Sequence, residues 1–118
     1  MNHEEWSAEQ TTATLSVDGH DLEVAYYESG TDNDGPPALF LHGIPTWSYL
    51  WRGVAPALAD HRHVVAPDLL GYGNSAKRDG FDRSLRAQEA MVDALLDYLG
   101  ADRADVVAHD IGGGVALR

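Results

Sequence analysis

The residues best suited to chemistry lie near the end of the chain, in the stretch VVAHDIGGGVALR, residues 106–118. An apolar, β-branched run is followed by one acid, Asp110, and then by glycines that open a helical pattern. Strand, sharp turn and helix in this order form a nucleophile elbow, which requires small residues two positions before and after its apex, here Ala108 and Gly112. The pattern predicts Asp110 as a nucleophile. An N-cap of the following helix is the structural alternative.

A carboxylate at the apex favours a particular chemistry. Its attack on a carbonyl would give a labile anhydride, whereas it can displace a leaving group from saturated carbon and form an alkyl-enzyme ester. Water that then attacks the ester carbonyl of Asp110 creates an oxyanion, which backbone N–H groups stabilise when they point at it. The Asp110 elbow therefore predicts an oxyanion hole, for which the Ile111 N–H is the first candidate donor.

A second motif, LHGIPTWSYLWR at 41–52, supplies the other donor. It follows a short apolar strand, and the loop there can aim the Ile44 backbone N–H at the same point. We expect His42 and Gly43 to support this loop, His42 by hydrogen bonding rather than as a base. Trp47 is a candidate for the substrate pocket, whereas packing is the expected role of the neighbouring Trp51.

The elements that must position these residues follow from hydrophobic periodicity and turn chemistry. The patterns predict a hairpin over 12–30 that turns at Asp18-Gly19, buried strands at 38–43, 63–68 and 104–110, and helices at 48–60 and 81–100. Pro56 lies inside the first of these helices, where it kinks or breaks it. Residues 1–10 are expected to form a loose polar lead-in. The order predicts an α/β fold with a mostly parallel sheet behind an antiparallel N-terminal strand pair.

Charge and composition narrow the classes of function. The chain has 19 acidic and 8 basic residues, a net charge of −11, which disfavours binding to nucleic acid or anionic membranes. The acids are spread over the whole chain, as on the surfaces of proteins from salt-loving organisms, although an ordinary acidic cytoplasmic protein is the alternative.

No cysteine is present, no apolar run could span a bilayer, and the N-terminus is unlike a signal peptide, so a cytoplasmic location is expected. His61 and His63 have no third ligand nearby, so no metal site is expected.

Three motifs together carry a family resemblance: HGIPTWSYLWR after one strand, PDLLGYGNSAK after the next and AHDIGG at the elbow. Over about residues 12–118 the chain resembles the N-terminal part of an α/β-hydrolase, in the Asp-nucleophile branch of haloalkane dehalogenases and epoxide hydrolases. The resemblance implies that residues 11–118 are the N-terminal part of the core domain. It also implies a hydrolase that acts on an epoxide or alkyl halide, with no cofactor, and with a small, mostly apolar molecule and water as its partners.

The resemblance also implies parts that this sequence lacks. In the family the catalytic acid and histidine follow the elbow, as does the cap, so a chain that ends at Arg118 is expected to be a fragment that is inactive alone. Dehalogenases of this kind carry Trp after the nucleophile, and some carry Asn in the oxyanion loop; this chain has Ile111 and Ile44, which donate no side-chain hydrogen bond. A non-catalytic remnant or binding module and an esterase-like broad hydrolase are the alternatives. The sequence leaves the oligomeric state open.

Overall fold

The computed structural model describes residues 2–43, 47–77 and 84–108 of the chain. Its elements in chain order are α1 (His3–Glu9), β1 (Thr11–Val17), β2 (His20–Ser29), β3 (Ala38–Leu41), a 3₁₀ helix (Ser48–Trp51), α2 (Ala55–Leu58), β4 (Val64–Pro67), α3 (Leu85–Tyr98) and β5 (Asp105–Ala108). The predicted hairpin is confirmed. Asp18 and Gly19 both have positive φ, 51° and 83°, which is the geometry of a two-residue turn that matches the twist of its strands.

The five strands form one mixed sheet in the order β1-β2-β4-β3-β5. The strands β4, β3 and β5 run parallel to one another, whereas β2 is antiparallel to both of its neighbours, β1 and β4. The α/β class and the antiparallel N-terminal pair are therefore confirmed. The parallel strands are short and apolar, as expected where both faces of a sheet are covered.

Each face of the sheet carries its own core. On one face α3 packs over alternate residues of the strands, among them Leu39, Leu41 and Val65, together with Met91 and Leu95 of the helix. The other face buries Phe40, Val64 and their neighbours beneath α1 and α2. Because successive side chains of a strand point to opposite faces, adjacent residues of β3 serve the two cores in turn.

The helix α3 confirms the predicted apolar stripe in its described part. Met91 and Leu95 are fully buried and Val92 nearly so. The Ser84 hydroxyl caps the helix by accepting the Ala87 N–H at 3.2 Å. Gly100 follows the helix with φ of +76°, the left-handed conformation that glycine adopts at helix ends without strain.

The expectation of a loose lead-in at residues 1–10 is wrong. This segment contains α1, whose first turn is fixed by a capping box: the Asn2 side chain accepts the Glu5 N–H at 2.8 Å, and the Asn2 N–H donates to the Glu5 carboxylate at 3.0 Å. The helix holds Trp6 at zero exposure in the second core. A single large aromatic side chain therefore docks an otherwise polar helix on the sheet.

The segment 48–60, predicted as helical with a kink or break caused by Pro56, is broken and divides into the 3₁₀ helix and α2. In a continuous helix the backbone nitrogen of Pro56 would have to donate to the Arg52 carbonyl, and proline has no N–H. A new helix that begins at Ala55 places Pro56 in its first turn, where that donor is not required.

The strand predicted over 104–110 is confirmed in its described part as β5, but it is not buried there. Within the described residues β5 pairs on one side only, with β3, and Val106 and Val107 remain 46% and 41% exposed. Among the described residues the apolar side chains of Val106 and Val107 are therefore left partly uncovered. In the described parts of the chain no helix is both long and apolar enough to cross a membrane.

Candidate active site

The carboxyl ends of β3 and β5 define the location of the candidate site. These strands are parallel neighbours, paired in register from Ala38 opposite Asp105 to Leu41 opposite Ala108. The segments that follow them therefore start at the same level of one sheet edge, the edge where parallel α/β sheets bind their ligands. The predicted nucleophile Asp110 and the oxyanion residues Ile44 and Ile111 lie outside the described residues, two or three positions beyond these strand ends.

His42 is the first described residue of the candidate loop after β3, and it is fully buried. Its Nε2 accepts the Leu69 backbone N–H at 2.9 Å. Because a backbone N–H can only donate, the ring proton must be on Nδ1, which donates to the Gly43 carbonyl at 3.0 Å. Burial lowers the pKa of His42, against smaller raising effects of the Gly43 carbonyl and of Asp68. The ring is therefore neutral and has both nitrogens engaged.

These contacts match the geometry expected of a histidine that supports a loop. A neutral imidazole whose Nε2 already accepts a backbone hydrogen bond has no lone pair left to take a proton from water. Its edge also contacts the Tyr72 ring, with the ring centroids 5.5 Å apart. The support that His42 and Gly43 give to the oxyanion donor stays a prediction, since that donor is not among the described residues.

The far end of the same loop is anchored to the segment after β4. The Ser48 backbone N–H donates to Asp68 Oδ1 at 2.9 Å. Since Leu69 holds His42, both stems of the loop are fixed to two adjacent residues, Asp68 and Leu69. The start of the segment that follows β4 thus holds the two described stems of the loop.

Asp68 is a fully buried carboxylate that accepts hydrogen bonds from three neutral donors in the described part of the chain. Besides the Ser48 N–H on Oδ1, its Oδ2 accepts the Asn74 N–H at 2.8 Å and the Gln10 side-chain amide at 2.9 Å. A buried charge of this kind is stabilised by several short hydrogen bonds to its charged form. The backbone passes so close at Gly73, where φ is +55°, that a Cβ there would overlap the Asp68 carboxylate.

The helix α1 completes this network from the N-terminus. Trp6 stacks on Tyr27 with ring centroids 4.5 Å apart, and its indole N–H donates to the Ser48 hydroxyl at 2.8 Å. The Gln10 amide, one residue past α1, reaches the same hydroxyl at 3.1 Å as well as Asp68. The sequence patterns did not identify Trp6 or Gln10 as part of this hydrogen-bond network. The pattern Asn2-x-x-Glu5 was the available sign of a helix start, but nothing local indicated where that helix would dock.

Trp47 begins the 3₁₀ segment and stacks on Tyr49, with centroids 5.5 Å apart. It borders a cleft of about 310 Å³ whose remaining lining is mostly polar: His3, Ser7, Gly73, Asn74 and Lys77. Its role in a substrate pocket stays a prediction. Trp51 packs against Phe40 with ring centroids 5.2 Å apart, which agrees with the packing role expected of it.

Of the two histidines after α2, His61 is exposed, whereas His63 contacts the sheet. His63 contacts Glu28 on the antiparallel neighbour strand, with Nε2 2.7 Å from Oε2, and both side chains are mostly buried. Among residues 2–43, 47–77 and 84–108 no group of three acidic or histidine side chains is arranged to hold a metal ion.

The parallel strands, the covering helices and the loops at the carboxyl edge define an α/β protein whose candidate site lies beyond β3, β4 and β5. The family model described as the alpha/beta hydrolase fold matches residues 36–118. The chain therefore belongs to the α/β hydrolase fold family, as the three motifs had indicated.

Named relatives come from both groups that the motifs resemble. The chain is 38% identical over 94 residues to haloalkane dehalogenase 2 of Mycobacterium tuberculosis, and 46% identical over 88 residues to a soluble epoxide hydrolase of a Corynebacterium species. These matches take in 80% and 74% of this chain but 32% and 30% of the relatives. The chain thus spans about a third of the length of the curated relatives it matches.

The solved structures that resemble this chain also include haloalkane dehalogenases and epoxide hydrolases. An ancestral haloalkane dehalogenase superposes with a TM-score of 0.78 at 39% identity, over 90% of this chain and 35% of its own. The epoxide hydrolase VrEH1 of Vigna radiata gives a TM-score of 0.76 at 33% identity, over 93% of this chain and 35% of its own. The likeness is therefore to the core of both kinds of enzyme.

Proposed function

We propose that this chain carries the nucleophile and oxyanion hole of a hydrolase that forms an ester on Asp110. The observation that supports this proposal is the register of β3 and β5, which end side by side at Leu41 and Ala108. From these ends the chain needs only two residues to reach Asp110 and three to reach Ile44. A nucleophile and an amide donor that start from adjacent strand ends can converge on one reacting atom.

In the proposed first step the Asp110 carboxylate attacks a saturated carbon of the substrate. A carbon–oxygen bond forms as the bond from that carbon to its leaving group breaks. The bonding electron pair departs with a halide, or stays on the oxygen of an opened epoxide, which then takes up a proton. The product of this step is an alkyl ester of Asp110.

In the second step water attacks the carbonyl carbon of that ester. A base, supplied by a histidine in the enzymes that the chain resembles, takes the water proton, and the carbonyl oxygen becomes an oxyanion facing the Ile44 and Ile111 amides. Collapse of this intermediate expels the alkoxide, which is protonated to an alcohol, and restores the carboxylate. His42 is not that base, because both of its ring nitrogens are engaged.

The proposed substrate is a small, mostly apolar molecule that carries an epoxide or an alkyl halide. Relatives named for each of these reactions match the chain. The side chains of Ile44 and Ile111 offer no hydrogen bond to a departing halide, which favours the epoxide, whose oxygen takes its donors from elsewhere.

The test is single turnover of the full-length protein in heavy-oxygen water. The label is expected in the Asp110 carboxylate, because water attacks the enzyme ester rather than the substrate. Asp110→Ala is expected to abolish turnover. Asp105→Asn is the matched control, since it changes an exposed acid on the same strand and should leave turnover unchanged. An unlabelled Asp110 after turnover would exclude the covalent mechanism.

Residues 1–118 expressed alone are expected to show no turnover in the same assay. In the family that the chain resembles, the acid and the histidine that activate water follow the elbow. Multiple turnovers by this piece that depend on Asp110 would contradict that expectation.

A further inference from the structure

The buried carboxylate of Asp68 has a position that its turn alone does not explain. We propose that Asp68 is a positioning residue for the oxyanion loop, and that Gln10 beside helix α1 keeps the Asp68 carboxylate in place. This inference rests on the proposed function. It adds a role for the first ten residues of the chain, which lie outside the matched family region that starts at residue 36.

Two hydrogen bonds tie both stems of the oxyanion loop to the dipeptide Asp68-Leu69, and we call this pair of bonds the clamp. The upstream stem is held by the bond from the Leu69 N–H to His42, and the downstream stem by the bond from the Ser48 N–H to Asp68, each 2.9 Å long. Residues 68 and 69 themselves continue directly from β4, which pairs with β3. The two stems of the loop, at His42 and Ser48, can therefore shift relative to this segment only if one of these bonds breaks.

Asp68 is suited to this task only as an anion. One oxygen accepts from Ser48 and the other from both Asn74 and Gln10, so every partner of Asp68 among the described residues is a donor. An asparagine has a single acceptor oxygen and presents N–H groups on the other side. In Asp68→Asn the Ser48 stem either faces another donor and is released, or keeps the amide oxygen while Asn74 and Gln10 no longer hold the side chain in place. In both cases the bond from Ser48 is weakened.

Gln10 links this carboxylate to α1. Its amide nitrogen lies 2.9 Å from Asp68 Oδ2 and 3.1 Å from the Ser48 hydroxyl, which Trp6 also holds. Its amide oxygen accepts the Asn74 side chain at 2.7 Å. Gln10 thus bridges the two loops that the clamp joins, the one after β3 and the one after β4.

A displaced oxyanion loop should affect only one of the two chemical steps. Alkylation of Asp110 is a displacement at saturated carbon and creates no oxyanion on the Asp110 carbonyl. Hydrolysis of the ester does create one. Removal of a single oxyanion donor costs roughly 100- to 1,000-fold in kcat, so misplacement of one donor is expected to slow hydrolysis about 10- to 100-fold. Alkylation should keep its rate, and the ester should accumulate.

Gln88 provides a matched control. It is also fully buried and polar, and it makes two hydrogen bonds to the same post-β4 segment, from the Leu70 N–H at 2.8 Å and to the Leu70 carbonyl at 2.9 Å. None of its hydrogen bonds among the described residues reaches the loop after β3. Gln88→Ala should therefore disturb the packing of the segment without releasing the clamp.

The experiment is rapid-quench mass spectrometry of the full-length protein with an epoxide or alkyl halide. In folded Asp68→Asn we expect the alkylated Asp110 peptide to persist about 10- to 100-fold longer than in wild type, with an unchanged alkylation rate, whereas Gln88→Ala should show no accumulation. Ester lifetimes in Asp68→Asn equal to wild type would overturn the inference, and so would equal accumulation in Gln88→Ala.

Two other results of this experiment would have different meanings. If Asp68→Asn does not fold, Gln10→Ala decides, because it keeps every partner of the two stem bonds and removes the donor that holds the Asp68 carboxylate in place, so that the bond from Ser48 to Asp68 should weaken. A longer ester lifetime supports the inference and an unchanged one overturns it. If neither a covalent adduct nor heavy oxygen is found on Asp110 of the wild type, the proposed function itself is wrong, a result distinct from an adduct that turns over normally in the variants.

Discussion

Replacement of Trp6 by alanine should strongly destabilise the protein, although the helix that carries it has only seven residues. The side chain has zero exposure, stacks on Tyr27 and donates to Ser48 at 2.8 Å. Truncation of a buried tryptophan costs about 3–5 kcal/mol. The lost hydrogen bond adds little, because Gln10 still donates to the Ser48 hydroxyl. We therefore expect a loss of about 4 kcal/mol in the free energy of unfolding.

Urea unfolding, monitored by far-ultraviolet circular dichroism, measures this loss in the free energy of unfolding. The probe does not depend on tryptophan fluorescence, which the substitution itself changes. Trp6→Phe separates the two contributions, since it keeps a ring on Tyr27 and removes the N–H and part of the bulk, for an expected loss of about 1–2 kcal/mol. Tyr98→Ala is the control, an aromatic residue on α3 that is 60% exposed, with an expected change within about 0.5 kcal/mol.

A loss below about 1 kcal/mol in Trp6→Ala would refute this reasoning, because it is far less than burial of a tryptophan implies. It would mean that α1 is not held on the sheet in solution. The proposed link between α1, Gln10 and Asp68 would then also lose its support.

Two further predictions concern pH and salt. The pKa of His42 is lowered in the folded state, so below about pH 6.5 the unfolded chain binds a proton that the folded chain does not, and stability falls as the pH falls. In His42→Asn, unfolding measured between about pH 5 and pH 7 should show a shallower decline, by at most about 1.4 kcal/mol per pH unit, and an unchanged slope would contradict the assignment. The net charge of −11 should make the melting temperature rise as KCl approaches the molar range, where screening acts within about 3 Å. A flat or falling melting temperature would count against a salt-adapted surface.

Local signals in the sequence were sufficient for most elements of the fold. The Asp18-Gly19 turn, the apolar runs of β3 and β4, and the stripe of Met91 and Leu95 each depend on neighbours in the chain, and each was predicted. Pro56 is a local signal of the same kind, because a residue that cannot donate predicts a kink or break in a helical pattern, and the segment divides into two short helices.

The candidate site was predictable only as a location. Motifs after β3 and β5 indicated which strand ends matter, and the register of the strands places those ends side by side. The clamp at Asp68 could not be read from the sequence, because its partners Gln10 and Ser48 are polar residues far away in the chain. Polar residues of this kind carry no periodic signal, and only the tertiary fold brings them together.

The docking of α1 also implies an order of folding. The helix is bound by partners far along the chain: 42 residues separate Trp6 from Ser48, 58 separate Gln10 from Asp68, and 67 separate Ser7 from Asn74. A seven-residue helix is marginal on its own, and contacts this distant must await the closure of long chain segments. During synthesis residues 3–10 would thus remain largely unstructured until residue 74 has emerged from the ribosome. Until then Trp6 is an exposed apolar group on the nascent chain.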